Sequence, residues 1–244
     1  MLNYLASEIF LIKKARSFKL ALLAGIFFLA YLSITYFIYT QSPPPEGEAS
    51  HIAYLEGIGD LIYFVGFVIG VYLINLLYKD KDYHRIALSS GKRKLEMMIE
   101  NLFVLQIFSI VILILFLIAA VLINLLLAEI MGFSPNLGLK FLVENFKNVI
   151  LLQLLLNQHL IGVIYLTGNK VISSTTVLVL LVISTPIKYF HNLTGQILRI
   201  VFPYYYFLEN QEMLTINYKF LILYVINAIL FVGIGYLGFR RREY

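Results

Sequence analysis

Charged residues cut this chain into long apolar runs. Six stretches contain no Asp, Glu, Lys or Arg: 20–45, 61–78, 101–128, 148–169, 171–187 and 220–239, of 26, 18, 28, 22, 17 and 20 residues. A helix needs roughly 20 mostly apolar residues to cross a hydrocarbon core of about 30 Å. The runs are continuous rather than alternating, and in lipid each backbone N–H and C=O must be paired within its own segment. They therefore predict membrane-spanning helices and not a barrel. The fifth run is short and can borrow the stem of Lys188 by snorkelling. The expected fold is all-α: one polytopic transmembrane domain over 1–244 with six spans.

The stretches between the runs predict smaller elements. In residues 1–16, Leu2, Leu5, Ile9 and Ile12 share one helical face and Asn3, Ser7 and Lys14 another, as in a helix lying in the membrane interface. Residues 41–56 form a loop opened by three consecutive prolines, Pro43 to Pro45, which stop the first span. Span 2 carries Gly59, Gly66 and Gly70; the last two make a G-x-x-x-G, suited to close helix packing within the chain or between copies. In the charged loop 79–100, Asp82 to Ser89 predicts a short helix, Gly91 its stop, and Lys92 to Glu100 a second helix entering span 3. Glu129 ends span 3, and Gly132, Pro135 and Gly138 predict the next turn. Span 4 holds Gln153, Asn157, Gln158 and His159, and Thr167 to Lys170 is long enough only for a hairpin into span 5, which ends near Pro186. Residues 188–219 are too apolar for a solvated loop and too short on either side of Arg199 to cross. With Tyr204, Tyr205, Tyr206 and neighbouring aromatics around Pro203, they predict interfacial or re-entrant helices.

Composition agrees with this pattern. The chain of 244 residues is 60% hydrophobic and 14% charged, against roughly 45–50% and 25% in soluble domains. Lys and Arg set the orientation. The N-terminus, the 79–100 loop, Lys170 and the C-terminus together hold 14 of 19 basic residues; 41–60, 129–147 and 188–219 hold 5, with 8 acidic ones. The positive-inside rule places the first set, and both termini, in the cytoplasm. The net charge of +5 is an orientation signal and calls for no nucleic acid. The first run exceeds a signal-peptide core and reads as a retained span. The three closing arginines, Arg240 to Arg242, are expected at the headgroups.

Little chemistry accompanies this framework. There is no Cys, no H-E-x-x-H and no G-x-S-x-G. The SSGKRK stretch is no phosphate loop, since Ile86 stands where Gly is needed and Arg93 where Ser or Thr is needed. Asp and Glu are missing from every span interior, leaving His159 as the one ionisable group at depth. Ion-driven transporters place such groups at mid-membrane. A transporter of this composition would draw its energy from a separate ATPase, with ATP and Mg bound by that partner and no cofactor in this chain.

The order of elements resembles the membrane subunit of ABC-2 type ABC transporters along essentially the full length. His84 to Asn101, HRIALSSGKRKLEMMIEN, is similar to that family's helix and Ser-Gly-basic turn before span 3; Gly235 to Glu243, GYLGFRRRE, is similar to its closing span. The chain departs from the family in lacking Gly-Thr after the acids Asp80 and Asp82, and in carrying Glu96, Glu100 and Asn101 at the entry to span 3. The resemblance implies a permease in a bacterial plasma membrane that works as a pair, with a second copy or a related permease, and with two ABC ATPase subunits. It implies an N-terminal interface helix, a cytosolic coupling helix in 79–100 and outer re-entrant helices in 188–219. Asp82, Tyr83, His84, Arg85, Ile86, Leu88, Ser89, Gly91, Lys92 and Arg93 would then dock the ATPase. Tyr83 with Ile86, Ala87 and Leu88 would form the apolar contact, and Arg85, Lys92 and Arg93 its rim. Gln153, Asn157, Tyr204, Tyr205 and Tyr206 are candidates for the path of an amphipathic peptide or other hydrophobic cargo. The rival readings are a stand-alone immunity or assembly factor and an intramembrane enzyme, the latter disfavoured by the missing catalytic set.

Overall fold

The computed structural model describes residues 81–131, 135–184 and 218–242, together with 70–74, 77–78 and isolated positions at 19, 23, 25–27, 30–31, 34 and 68. Regular structure among the described residues is entirely helical. The predicted interface helix 1–16, the loop 41–56, Gly66 and, of the segment 188–219, residues 188–217 with Tyr204, Tyr205 and Tyr206 lie outside the described residues.

Helix α1 spans Lys81–Ser89, α2 Lys94–Met131, α3 Pro135–Thr167 and α4 Lys170–Ser184. The last helix runs as α5, Tyr218–Asn227, then a π-helical turn, Ala228–Val232, then α6, Gly233–Arg240. Three stretches are long and apolar enough to cross a membrane: Lys94–Leu126, Phe146–Thr167 and Phe220–Arg240. They fall on the third, fourth and sixth charge-free runs. On α2, Phe103, Ile107, Val111, Ile114, Ile118 and Leu122 form an exposed apolar stripe. Water would penalise such a surface and lipid does not.

Helix α3 begins earlier than the spacing of Gly132, Pro135 and Gly138 predicts. Pro135 is the first residue of α3, where its missing N–H costs nothing. Gly138 lies inside the helix; one interior Gly costs about 1 kcal/mol, too little to break a helix packed along its length.

Helix α3 is the centre of the described bundle. It packs against α2, α4, the π turn and α6, and every residue from Leu155 to Tyr165 is buried, with Gly162 coming close to the backbone of the last helix. A Cβ on Gly162 would sit 2.5 Å from the backbone oxygen of Phe231, and one on Gly235 would sit 2.8 Å from the oxygen of Gly162. Small residues on both helices thus set a backbone-to-backbone seam, the usual route to tight helix packing in lipid. Gly70 makes a similar contact: its Cβ would lie 2.7 Å from Gln153 Nε2. The predicted glycine face of span 2 is, at Gly70, turned into the chain's own bundle.

Candidate functional site

The helix–Gly–helix unit predicted for 79–100 is formed by two distinct capping devices. The Gly91 N–H donates to the Leu88 carbonyl at 3.0 Å and the Lys92 N–H to the Ala87 carbonyl at 3.1 Å, with Gly91 at φ +89°. This Schellman pair closes α1 with a left-handed residue that Gly adopts without steric cost. Two residues later, the Glu96 carboxylate accepts the Arg93 backbone N–H at 3.2 Å, half of a capping box at the start of α2. Lys92 Nζ reaches forward to Glu100 Oε2 at 2.5 Å. The two acids that depart from the family's pattern are thus occupied in holding this turn.

The ten predicted docking residues divide between two faces. His84 is buried, as is Ala87 beside it on the helix. His84 meets Phe239 and Tyr78 edge-on, each with ring centroids 5.2 Å apart. Tyr165 completes the cluster, at 4.8 Å from Phe239 and 5.2 Å from Tyr78. Arg85, Ile86, Ser89, Gly91 and Arg93 are exposed, and Leu88 and Lys92 are half-buried. Ile86 is 67% exposed, the most exposed apolar side chain among those described on the helix. Asp82 and Tyr83 belong to α1, but their side chains are outside the described residues. The inward face fastens α1 to the bundle, and among the described side chains the outward face carries Ile86 with Arg85 next to it in sequence.

Around this cluster lie contacts that the sequence pattern alone does not reveal. Lys94 Nζ donates to the carbonyls of Phe239, Arg240 and Arg242 at 3.2, 3.2 and 2.6 Å, capping the last helix with positive charge where its dipole favours it. Asn101 Nδ2 donates to Tyr165 Oη at 2.6 Å. Arg242 is not spread toward headgroups as predicted. Its guanidinium donates to Tyr78 Oη at 2.7 Å and to the Leu166 carbonyl at 2.6 Å. Arg240 and Arg241 remain exposed. Lys94 carried a signal in the sequence, since a basic residue opening a helix opposes that helix's own dipole.

Deeper in the bundle the two path candidates, Gln153 and Asn157, are brought together but are fully buried. Gln153 Nε2 donates to Asn157 Oδ1 at 2.9 Å, and Asn157 Nδ2 to Gln106 Oε1 at 3.0 Å and Ser109 Oγ at 3.1 Å. Gln106 Nε2 donates in turn to the Leu154 carbonyl at 2.9 Å. This network glues α2 to α3. Gln106 and Ser109 are its unpredicted members; polar residues in a charge-free run are the signal that points to them. One turn on, His159 Nε2 pairs with Asn227 Oδ1 at 2.9 Å, and its ring lies over Phe231 at 3.8 Å. Asn227 precedes the π turn and Phe231 lies within it. Among the described residues, the amide of Gln158 is buried without a hydrogen-bond partner, and no set of His, Asp or Glu is grouped to hold a metal.

No family model matches the chain, and no curated protein matches it.

Proposed function

We propose that this chain is the membrane subunit of an ATP-driven exporter of the ABC-2 type, and that a separate ATPase docks on the outward face of α1. One observation carries the reading. A short helix stands at the end of the bundle, clamped by His84 and Ala87 on one side, with Arg85, Ile86 and Ser89 left exposed on the other. A loop that only set topology would need neither the clamp nor the two caps. The apolar centre with a charged rim has the composition of a protein-binding anchor.

In this reading the chain has six spans in a bacterial plasma membrane, with both termini in the cytoplasm. It pairs with a second copy or a related permease, binds no ATP itself, and passes closure of the two ATPases through α1 to the spans. The cargo is an amphipathic peptide or a comparably hydrophobic molecule, handled at the outer face by Tyr204, Tyr205 and Tyr206. Gln153 and Asn157 are sealed between helices and serve packing in the arrangement described, so the aromatic segment is the stronger candidate for cargo contact.

The test is co-purification with an ATPase encoded beside this chain. Among the described side chains of α1, Ile86 is the exposed apolar anchor and Leu88 is half-buried. Ile86→Asp should weaken capture by about 30-fold, the equivalent of ~2 kcal/mol for a central anchor, while membrane insertion is unchanged. Arg85→Gln with Arg93→Gln should weaken capture mainly at low salt. Full capture by Ile86→Asp would leave α1 a solvated topology signal. It would favour a stand-alone immunity or assembly factor.

A further inference from the structure

The clamp beneath α1 is joined to the far end of the chain. Phe239 fills the space between His84 and Tyr165 and is fully buried. Three residues later Arg242 bridges two other elements, through Tyr78 after the 70–74 helix and Leu166 at the end of α3. The α3–α4 turn leaves space for this guanidinium. Gly168 has φ +66°, and a Cβ there would collide with the Arg242 side chain. Asn169 then caps α4, its Oδ1 accepting the Val171 and Ile172 N–H groups at 2.9 and 3.2 Å. Lys94 fixes the same terminus from the α2 side through three carbonyls. Four segments distant in sequence therefore converge on residues 239–242.

We propose that Phe239 and Arg242 form a latch that ties α1 to the end of the last span, so that displacement of α1 is transmitted first to α6. The proposal rests on the docking role of α1 for its use in transport, but the latch itself is a property of this chain. Phe239 is the wedge against α1. Arg242 is a positioning residue that holds the wedge in place by fastening the segment after it. The neighbouring Arg240 and Arg241 are exposed and have no part in it.

The native chain has no Cys, so two spin labels can be placed without background. Ile86→Cys on α1 and Leu237→Cys on α6 are both on exposed side chains. The labelled chain in nanodiscs should give one narrow distance. Phe239→Ala and Arg242→Gln should each replace it with a broad distribution. Tyr78→Phe, which removes a single hydroxyl, should broaden it less. Arg240→Gln should leave it narrow. An unchanged narrow distance in both Phe239→Ala and Arg242→Gln would overturn the latch. If Arg242→Gln fails to fold, Tyr78→Phe and Gly168→Ala attack the same bridge from its other side, and a narrow distance in both would also overturn it. In the assembled transporter, Arg242→Gln should retain ATPase capture yet lose export per ATP hydrolysed; tight coupling in that variant would count against transmission through the latch. Failure of the unaltered chain to capture any ATPase would defeat the docking role and leave the distance measurement to decide the latch by itself.

Discussion

Gly91, Gly162 and Gly233 share a side chain and differ in what a methyl group would meet. At Gly91 there is open space, but φ is +89°, so Ala pays for a left-handed backbone, about 1 kcal/mol. At Gly162 the methyl would press on the Phe231 backbone, which cannot move without the whole last helix; overpacking of this kind costs roughly 1–3 kcal/mol. At Gly233 nothing lies within 4 Å and the backbone is already helical, so Ala should stabilise by about 0.5–1 kcal/mol. Melting temperatures in one detergent should therefore rank Gly233→Ala highest, then the unaltered chain, Gly91→Ala, and Gly162→Ala last. A Gly162→Ala protein as stable as the unaltered one would mean that the α3–α6 seam is looser than described. Asn157 offers a polar counterpart. Asn157→Leu removes three buried side-chain bonds, each worth about 0.6 kcal/mol inside a membrane, so the loss should approach ~2 kcal/mol. Export should persist wherever the variant is folded. Export lost with folding intact would return Asn157 to the cargo path.

At the scale of elements, the last helix carries its π turn beside His159. The turn ends where the Gly233 N–H donates to the Ile229 and Leu230 carbonyls. It lets Asn227 and Phe231 both face His159 while Gly235, Gly238 and Phe239 still face α3 and α1. A π turn holds one residue more than the α-helical turn it replaces, so deleting Ala228 would restore a regular α-helix and leave α6 in phase. Inserting one Ala between Gly233 and Ile234 would instead rotate everything after it by about 100°, carrying Gly235 and Phe239 off their partners and setting bulky side chains against Gly162. The insertion should cost more stability than any glycine change above, and the spin-label distance between α1 and α6 should broaden. An insertion variant that melts with the unaltered chain would show that the facing of α6 does not hold the bundle together. α1 makes the same point on a smaller element: Ala87→Leu should disturb it from the buried side, whereas Ser89→Ala on the exposed side should not.

For the whole molecule, the proposed orientation is open to labelling on the Cys-free background. Ser90 is exposed beside the α1 cap. Ser90→Cys should react with an impermeant maleimide only after cells are permeabilised, while Ser50→Cys and Asn210→Cys should react on intact cells. Reaction of Ser90→Cys from outside would invert the arrangement and remove α1 from any cytosolic partner.

Three stretches long and apolar enough to cross a membrane were legible because the cost of a charge in hydrocarbon is incurred residue by residue. Counting Asp, Glu, Lys and Arg along the chain therefore located Phe146–Thr167 and Phe220–Arg240 to within two residues, and the end of Lys94–Leu126, which begins seven residues before the run at 101. The stop at Gly91 was legible for a related reason: a Schellman cap is made within six consecutive residues. The turn before α3 was misjudged at Gly138 because packing along α3 outweighs a local preference of about 1 kcal/mol. The candidate site was legible as a segment and not as a face. Which side of α1 turns inward depends on Phe239, 155 positions after His84, and on Tyr165 between them. The same holds for Gln106 with Asn157, His159 with Asn227 and Arg242 with Tyr78. Each pair joins residues whose neighbours in sequence say nothing of one another. Local free-energy costs fix where the helices run; only their packing, through contacts a few ångströms long, decides which polar side chains meet and which face of α1 is left open.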